Sequence, residues 1–232
     1  MIGGIGPEST IAYYRHIVTA HRARAPSGAY PRLLINSIDF GAMLARLERD
    51  DRPGLIALLR TEVESLACAG TGVALLAANT PHIVFDELQR EVSIPLLSIV
   101  EATCRAALAQ GLRRLALFGT RFTMQGRFYP SVLGARGIEL VVPDPQEQAY
   151  IHDKYMHEWV HGVFDPDVRR RLLEMVQSLK QRASIDGVIL GGTELPLILD
   201  DNGTTGIPFL DTTAIHADAL VKYMLAASSA AS

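Results

Sequence analysis

The chain has 232 residues, a formal net charge of −3 and 48% hydrophobic residues. This length allows one large core or two small ones. The slightly acidic balance argues against nucleic-acid binding, which requires a basic surface. The apolar runs are interrupted well before the roughly 20 residues that span a bilayer. No basic segment followed by an apolar one opens the sequence as in a signal peptide, so we expect a cytoplasmic protein that does not bind membranes.

Strand-like and helix-like segments alternate along the chain, which predicts an α/β fold with parallel sheets. The strand candidates are short, rich in Leu, Ile and Val, and lack alternation, as expected for strands buried on both faces. In chain order they are residues 33–38, 72–77, 96–98, 114–118, 138–142 and 187–190. The main helix candidates are residues 53–69, 100–110, 167–182 and 213–227. The first two residues leave room only for a very short strand before a glycine-rich turn.

The two halves of the chain repeat one another. A glycine-rich turn at 3–10 has a counterpart at 119–125, and both this pair and the pair Asn79 and Thr193 are about 115 residues apart. Equal spacing of two motif pairs indicates an internal duplication. The sequence therefore predicts two pseudo-symmetric α/β lobes with parallel sheets. We assign residues 1–97 plus 209–232 to the first lobe, with a returning C-terminal helix, and residues 98–208 to the second.

Polar residues follow two of the predicted strands. Asn79-Thr80 stands after one of them and Thr193-Glu194 after the other. Ligands of open α/β sheets bind at the carboxyl ends of strands, and short Asn and Thr side chains beside free backbone N–H groups suit a carboxylate. A helix N-cap formed by Asn79 or Thr80 is a structural alternative that is compatible with binding. For Glu194 three roles remain open: a general base, a ligand for a substrate ammonium, or a capping carboxylate.

The glycine-rich turn at 3–10 lacks the spacing of the dinucleotide fingerprint. Its glycines allow close backbone approach, and the start of a helix presents free N–H groups, which favours an anion site. The alternative is a tight turn in which Ser9 or Thr10 caps the helix.

Other reactive residues give weaker signals. His157 and His161 match H-E-x-x-H and would share one helix face, but no third ligand is evident, so we predict no metal site. Residues 200–203 lack the spacing of a calcium loop and are predicted to form a polar turn. Cys68 and Cys104 lie in helical patterns and are predicted to be reduced core residues.

The motifs resemble those of the aspartate/glutamate racemase family, most closely its aspartate racemase branch. The matching segments run nearly from end to end: residues 3–10, 79–82, 119–124, 151–162, 192–196 and 211–216. The resemblance implies two three-layer αβα lobes with a ligand cleft between them. It also implies a cofactor-independent isomerase that encloses a small carboxylate substrate in this cleft, and a homodimer. In this family each lobe supplies one Cys from a strand end. One thiolate removes the α-proton, and the other thiol protonates the opposite face.

Carried over residue by residue, the resemblance assigns substrate binding to seven polar residues. These are Ser9, Asn79, Thr80, Thr120, Thr123, Thr193 and Glu194. The two Cys positions fall on Ala78 and Gly192, neither of which can transfer a proton. Candidate replacement bases are Glu194, His82 and Asp39, and candidates for binding a distal carboxylate are Arg46 and Lys154.

The missing thiols leave the reaction open, because loss of one positioned base typically costs ~10²–10⁴-fold in rate. We expect a racemase-family protein that acts on or binds an acidic amino acid such as aspartate or glutamate. One alternative is a decarboxylase or lyase relative acting on a dicarboxylate, since decarboxylation needs no proton abstraction from Cα. Another is a carboxylate-binding module without catalytic activity.

Overall fold

The computed structural model describes residues 1–25, 28–199 and 203–230, with side chains to residue 227. Most of the predicted polar turn at 200–203 thus lies outside the described residues. Two compact units divide the chain: Met1–Ile99 with His216–Ser232, and Val100–Ile215. The predicted division placed residues 209–215 in the first unit, and this is corrected because residues 209–211 form a strand of the second sheet.

The first unit is a short-stranded α/β unit. In chain order its elements are β1 (Ile2–Gly3), α1 (Pro7–Arg24), β2 (Asn36–Ser37), α2 (Phe40–Glu48), α3 (Arg52–Cys68), β3 (Ala74–Leu75), a 3₁₀ helix (Thr80–Val84), α4 (Phe85–Glu91) and β4 (Leu96–Leu97). Its strands are parallel: β1 pairs with β2 and β3 with β4, and a bridge between Ile2 and Leu76 connects the two pairs in the order β2-β1-β3-β4.

The second unit contains a four-stranded parallel sheet. Its elements are α5 (Ile99–Ala109), β5 (Arg114–Gly119), α6 (Arg121–Gln125), α7 (Phe128–Gly134), β6 (Glu139–Val141), α8 (Pro145–His157), a 3₁₀ helix (Trp159–His161), α9 (Pro166–Ala183), β7 (Gly187–Gly191), α10 (Leu195–Ile198), β8 (Phe209–Asp211) and α11 (Thr212–Ala230), whose last part belongs to the first unit. The strands lie in the order β6-β5-β7-β8. The strand order repeats that of the first unit. The predicted two-lobed α/β fold with parallel sheets is confirmed.

Local signals explain where several helices begin. The Asp51 carboxylate accepts the N–H of Gly54 at the start of α3, and the Asp165 carboxylate accepts that of Asp167 at the start of α9. Side-chain oxygens at these positions satisfy N–H groups that have no partner inside the helix. The predicted helices match the observed ones within a few residues. Strand β1 is the very short strand expected before the glycine-rich turn, whereas β8 was not among the predicted segments, since three residues carry too little periodicity.

Each unit has its own apolar core. In the second unit Phe118, Trp159 and Leu172 are fully buried within one cluster of side chains from the sheet and from α8 and α9. Cys104 is buried, as predicted, whereas Cys68 is exposed at the end of α3. The prediction that both are core residues was therefore wrong for Cys68, because the last turn of α3 leaves it on the solvent side.

Candidate functional site

The strands β5 and β7 end side by side, and this edge of the second sheet is built from glycine. Gly119 pairs with Gly191 across the two strands. A Cβ added at Gly119 would lie 2.5 Å from the Gly191 carbonyl oxygen, and one at Gly191 would lie 2.7 Å from Leu117 Cδ1. Only glycine tolerates this approach. The residues that follow the two strands, Thr120 and Gly192, are therefore brought to one edge of the sheet.

Thr120 and Thr123 form a hydroxyl pair after β5. Thr120 is the N-cap of α6, and its Oγ1 accepts the backbone N–H of Thr123 at 3.3 Å. The two hydroxyl oxygens lie 3.3 Å apart, and both residues are buried. A Cβ at Gly191 would lie 3.1 Å from Thr123 Cγ2, so this side chain stands directly against the end of β7. The structure thus brings together both of the predicted binding residues of this turn.

Glu194 is buried after β7 as part of a hydrogen-bonded group. Its carboxylate Oε2 accepts hydrogen bonds from the Thr193 hydroxyl, at 2.9 Å, and from the Tyr155 hydroxyl. Glu194 is only 1% exposed. Its backbone occupies the N-cap position of α10, but its side chain makes no capping hydrogen bond. The capping role considered from the sequence is therefore not observed, because neighbouring side chains hold the carboxylate instead.

Tyr155 is the residue of this edge that sequence reasoning missed. It extends from α8, packs edge-on against Trp159 at 5.5 Å between ring centroids, and is buried. A Cβ at Gly192 would lie 2.4 Å from Tyr155 Cε2 and 2.9 Å from its hydroxyl oxygen. The phenol thus lies against the position at which the resemblance expects a Cys. The absence of a side chain at Gly192 was the signal that a larger neighbour fills this space.

Burial and charge act together on the Tyr155 phenol. Burial raises its pKa well above the usual value, and the adjacent Glu194 carboxylate raises it further through its charge and its hydrogen bond to the phenol. Both effects disfavour the phenolate, since burial penalises a charge and a neighbouring anion repels one. Tyr155 therefore stays protonated across the physiological range. Perturbed ionisable groups of this kind are concentrated at functional sites.

In the first unit, the segment after β3 is held by Ser9 and His82. The Ser9 hydroxyl donates to the Ala77 carbonyl at 2.6 Å, and His82 Nδ1 lies 3.0 Å from the Ala78 carbonyl. Ser9, Ala78 and Asn79 are buried. Asn79 makes no side-chain capping hydrogen bond to the 3₁₀ helix that follows it. The predicted first-unit residues therefore lie together at one strand end, and the N-cap alternative for Asn79 is not observed.

The candidate bases of the first unit have other partners. His82 Nε2 accepts the backbone N–H of Ile99 at 3.1 Å, so its second nitrogen carries the proton facing Ala78. Burial, followed by the charge of nearby His216, lowers the pKa of His82 to about 3. Asp39 is exposed and caps α2, its carboxylate accepting the N–H of Ala42. Both ring nitrogens of His82 are thus engaged by the backbone, and Asp39 is engaged as a cap.

The glycine-rich turn packs against the chain that follows β2. Gly4 has a φ of 79°, and a Cβ there would lie 2.4 Å from the Ile38 carbonyl oxygen. The Gly4 N–H donates to Thr10 Oγ1 at 2.9 Å, while Gly6, the N-cap of α1, has no side-chain cap. Thr10 therefore bonds back to the turn rather than capping the helix, and the Gly4 N–H is not available to an anion.

The structure also shows where the weaker candidates Arg46, Lys154, His157 and His161 lie. Arg46 donates to the Ala42 carbonyl of its own helix at 2.6 Å, and Lys154 pairs with Glu158 on α8. His157 ends α8, whereas His161 lies in the following 3₁₀ helix. The expectation that the two histidines share one helix face is corrected, because the helix stops between them.

Within residues 1–25, 28–199 and 203–230, no group of three or more His, Cys, Asp or Glu side chains is arranged to hold a metal ion. In that same part of the chain no helix has the length and apolar character needed to cross a bilayer.

Fold and site together define a duplicated α/β protein in which polar side chains follow the central parallel strands. These side chains are an amide and a hydroxyl in the first unit, and hydroxyls and a carboxylate in the second. The family described as Asp/Glu/hydantoin racemase matches residues 2–220. The chain is 25% identical to the broad specificity amino-acid racemase RacX of Bacillus subtilis (strain 168), over 99% of each protein. The chain belongs to the Asp/Glu/hydantoin racemase family.

Solved structures agree with this assignment. The crystal structure of an aspartate racemase homologue from Pyrococcus horikoshii OT3 is 34% identical, with a TM-score of 0.82 and 96% of each chain covered. That of a putative Asp/Glu racemase from Yersinia pestis is 32% identical, with a TM-score of 0.88 and 97% of each chain covered. The glutamate racemase of Aquifex pyrophilus, 16% identical with a TM-score of 0.61 over 96% of this chain and 81% of that one, shares the fold.

Proposed function

We propose that this protein is a cytoplasmic, cofactor-independent isomerase of the racemase family that binds an acidic amino acid such as aspartate or glutamate and exchanges its α-proton. The observation that carries the proposal is the buried Thr193-Glu194 pair at the end of β7, next to the end of β5. A buried carboxylate that two hydroxyl groups orient at a strand end can act on a substrate in two ways, by binding its ammonium group or by accepting a proton.

Each unit offers groups that suit a substrate carboxylate. Thr120 and Thr123 offer hydroxyls in the second unit, and Asn79 and Thr80 follow β3 in the first. Such groups hold a carboxylate through hydrogen bonds, which are stronger when one partner is charged. The similarity to a racemase described as having broad specificity supports an amino-acid substrate and leaves the side-chain preference to measurement.

The test is hydrogen exchange in D₂O. The protein is incubated with L- and D-aspartate and with L- and D-glutamate, and α-deuteration is followed by NMR. We expect exchange above a protein-free blank with at least one of the four, together with measurable binding by calorimetry. If none of them exchanges or binds, the proposal is wrong. Binding without exchange would identify a carboxylate-binding module instead.

A matched pair of variants tests the binding groups. Thr193→Val keeps the shape of the residue and removes the hydroxyl that donates to Glu194, whereas Thr61→Val makes the same change on an exposed face of α3. A hydrogen bond to a charged group contributes about 1.5–3 kcal/mol, so Thr193→Val should weaken substrate binding by about tenfold or more. Equal effects of the two substitutions would exclude Thr193 from the site.

Two further points are tested separately. Decarboxylation of a malonate-type substrate would be detected as CO₂ release, and it is favoured as the second candidate because Ala78 and Gly192 leave both thiol positions without a base. The family resemblance supports a homodimer, for which light scattering would give about twice the 25.3 kDa of the chain.

A further inference from the structure

We propose that Tyr155 and Glu194 form a proton relay that takes the place of the thiol of the second unit. This inference rests on the proposed function and names the group that performs its proton transfer. It starts from the position of the phenol, which lies where a side chain at Gly192 would otherwise be.

The geometry places a transferable proton at the expected site. The Tyr155 hydroxyl oxygen would lie 2.9 Å from a Cβ at Gly192, so it occupies the neighbourhood in which the family resemblance expects a thiol. The phenol donates its hydrogen bond to Glu194 Oε2 and is therefore connected to a proton acceptor. If Tyr155 only filled the space beside Gly192, its aromatic ring would be sufficient and its hydroxyl would not be needed.

The surroundings keep the relay in one protonation state. Tyr155, Thr193 and Glu194 are all buried, and the Thr193 hydroxyl donates to the same carboxylate oxygen at 2.9 Å. Two donors on one oxygen stabilise the ionised carboxylate, while burial and the adjacent charge keep the phenol protonated. The resting pair is thus a neutral phenol and a carboxylate, which is the form that accepts a proton.

The substrate, Tyr155 and Glu194 account for every proton in this transfer, and no further reactant is needed. The substrate Cα–H proton moves to the Tyr155 oxygen as the Tyr155 hydroxyl proton moves to Glu194 Oε2. The electron pair of the Cα–H bond stays on the substrate and is delocalised into its carboxylate. In the reverse step the phenol returns a proton to Cα and regains one from Glu194. In D₂O the relay protons exchange with solvent, so a deuteron is returned.

A single relay acts on a single face of the substrate, which has a stereochemical consequence. Ala78 offers no proton at the corresponding position of the first unit. We therefore expect one enantiomer of the substrate to exchange its α-proton with retention of configuration, faster than it is inverted. Chiral chromatography of the deuterated amino acid measures this directly. Inversion as fast as deuteration would require a second proton-transfer group and would contradict the single relay.

The decisive variant is Tyr155→Phe, which keeps the ring beside Gly192 and removes only the hydroxyl. We expect α-deuteration to fall by ~10²–10⁴-fold while binding of the amino acid by calorimetry is preserved. Tyr150→Phe removes a hydroxyl from the same helix away from this edge and is the matched control. Glu194→Gln should lower exchange as well, because its amide cannot accept the relayed proton.

The outcomes separate this inference from the proposed function. If the unaltered protein exchanges and Tyr155→Phe exchanges equally fast, the relay is refuted and the isomerase proposal stands. If the unaltered protein binds the amino acid but does not exchange it, Tyr155 is not a proton donor, and only the binding role remains. If it neither binds nor exchanges, both proposals are wrong. Loss of exchange in Tyr155→Phe with binding intact supports the relay.

Discussion

Introducing a Cys at Gly192, where the resemblance places the second thiol, should destabilise the protein because Tyr155 fills the space. The new Cβ would lie 2.4 Å from Tyr155 Cε2, whereas carbon atoms in contact are normally about 3.5–4.0 Å apart. The ring would have to move by about 1 Å or more, and it is packed against Trp159. Overpacking of this kind costs about 1–3 kcal/mol. For a chain of this size, that corresponds to a fall in Tm of about 2–12 °C.

The assay is thermal unfolding of Gly192→Cys beside Gly134→Cys, since no atom lies within 4 Å of a Cβ at Gly134. The control should unfold within about 0.5 kcal/mol of the unaltered protein. Tyr155→Ala combined with Gly192→Cys should be less destabilised than the sum of the two single changes, with a coupling of about 0.5–3 kcal/mol. Equal stability of the two Cys variants, or additivity in the double variant, would refute the contact between Gly192 and Tyr155.

Three further predictions concern titration and thiol exposure. Because His82 is neutral when folded, with a pKa near 3, stability should fall by up to about 5 kcal/mol as the pH drops from 6.5 to 3. Denaturant unfolding at several pH values should show this slope, and it should flatten in His82→Gln. Burial raises the pKa of Tyr129, as it does that of Tyr155, so above pH 10 stability should decline by about 1.4 kcal/mol per pH unit for each phenol. No decline between pH 10 and 11 would contradict this. A thiol reagent should modify exposed Cys68 in the native protein and reach buried Cys104 only on unfolding; simultaneous modification would contradict the burial.

The sequence predicted the strand-end motifs well because their signals are local. An apolar run long enough for a buried strand precedes Thr193-Glu194, and the repeat of motifs after about 115 residues indicated the duplication. These patterns depend on neighbouring residues in the chain. Strand β8 and the exposure of Cys68 were missed because they depend on pairing and packing partners that lie far away in sequence.

The role of Glu194 is a second feature that depends on residues distant in sequence. From the sequence it could be a base, an ammonium ligand or a cap, since the residue type is compatible with all three. The structure excludes the cap, because Thr193 and Tyr155 bind the carboxylate inside the second unit. Tyr155 is 39 residues from Glu194 along the chain, and no spacing rule connects the two.

By itself, then, the sequence determined the fold class, the duplication and the family, because these follow from periodicity and from motifs that are continuous in the chain. Through the resemblance it also predicted that Ala78 and Gly192 stand at the two thiol positions of the family. Only the tertiary structure decided what occupies the space beside Gly192. Because Gly192 has no side chain, space is left beside it that another residue can fill. Packing in three dimensions determines which residue, distant in sequence, fills that space.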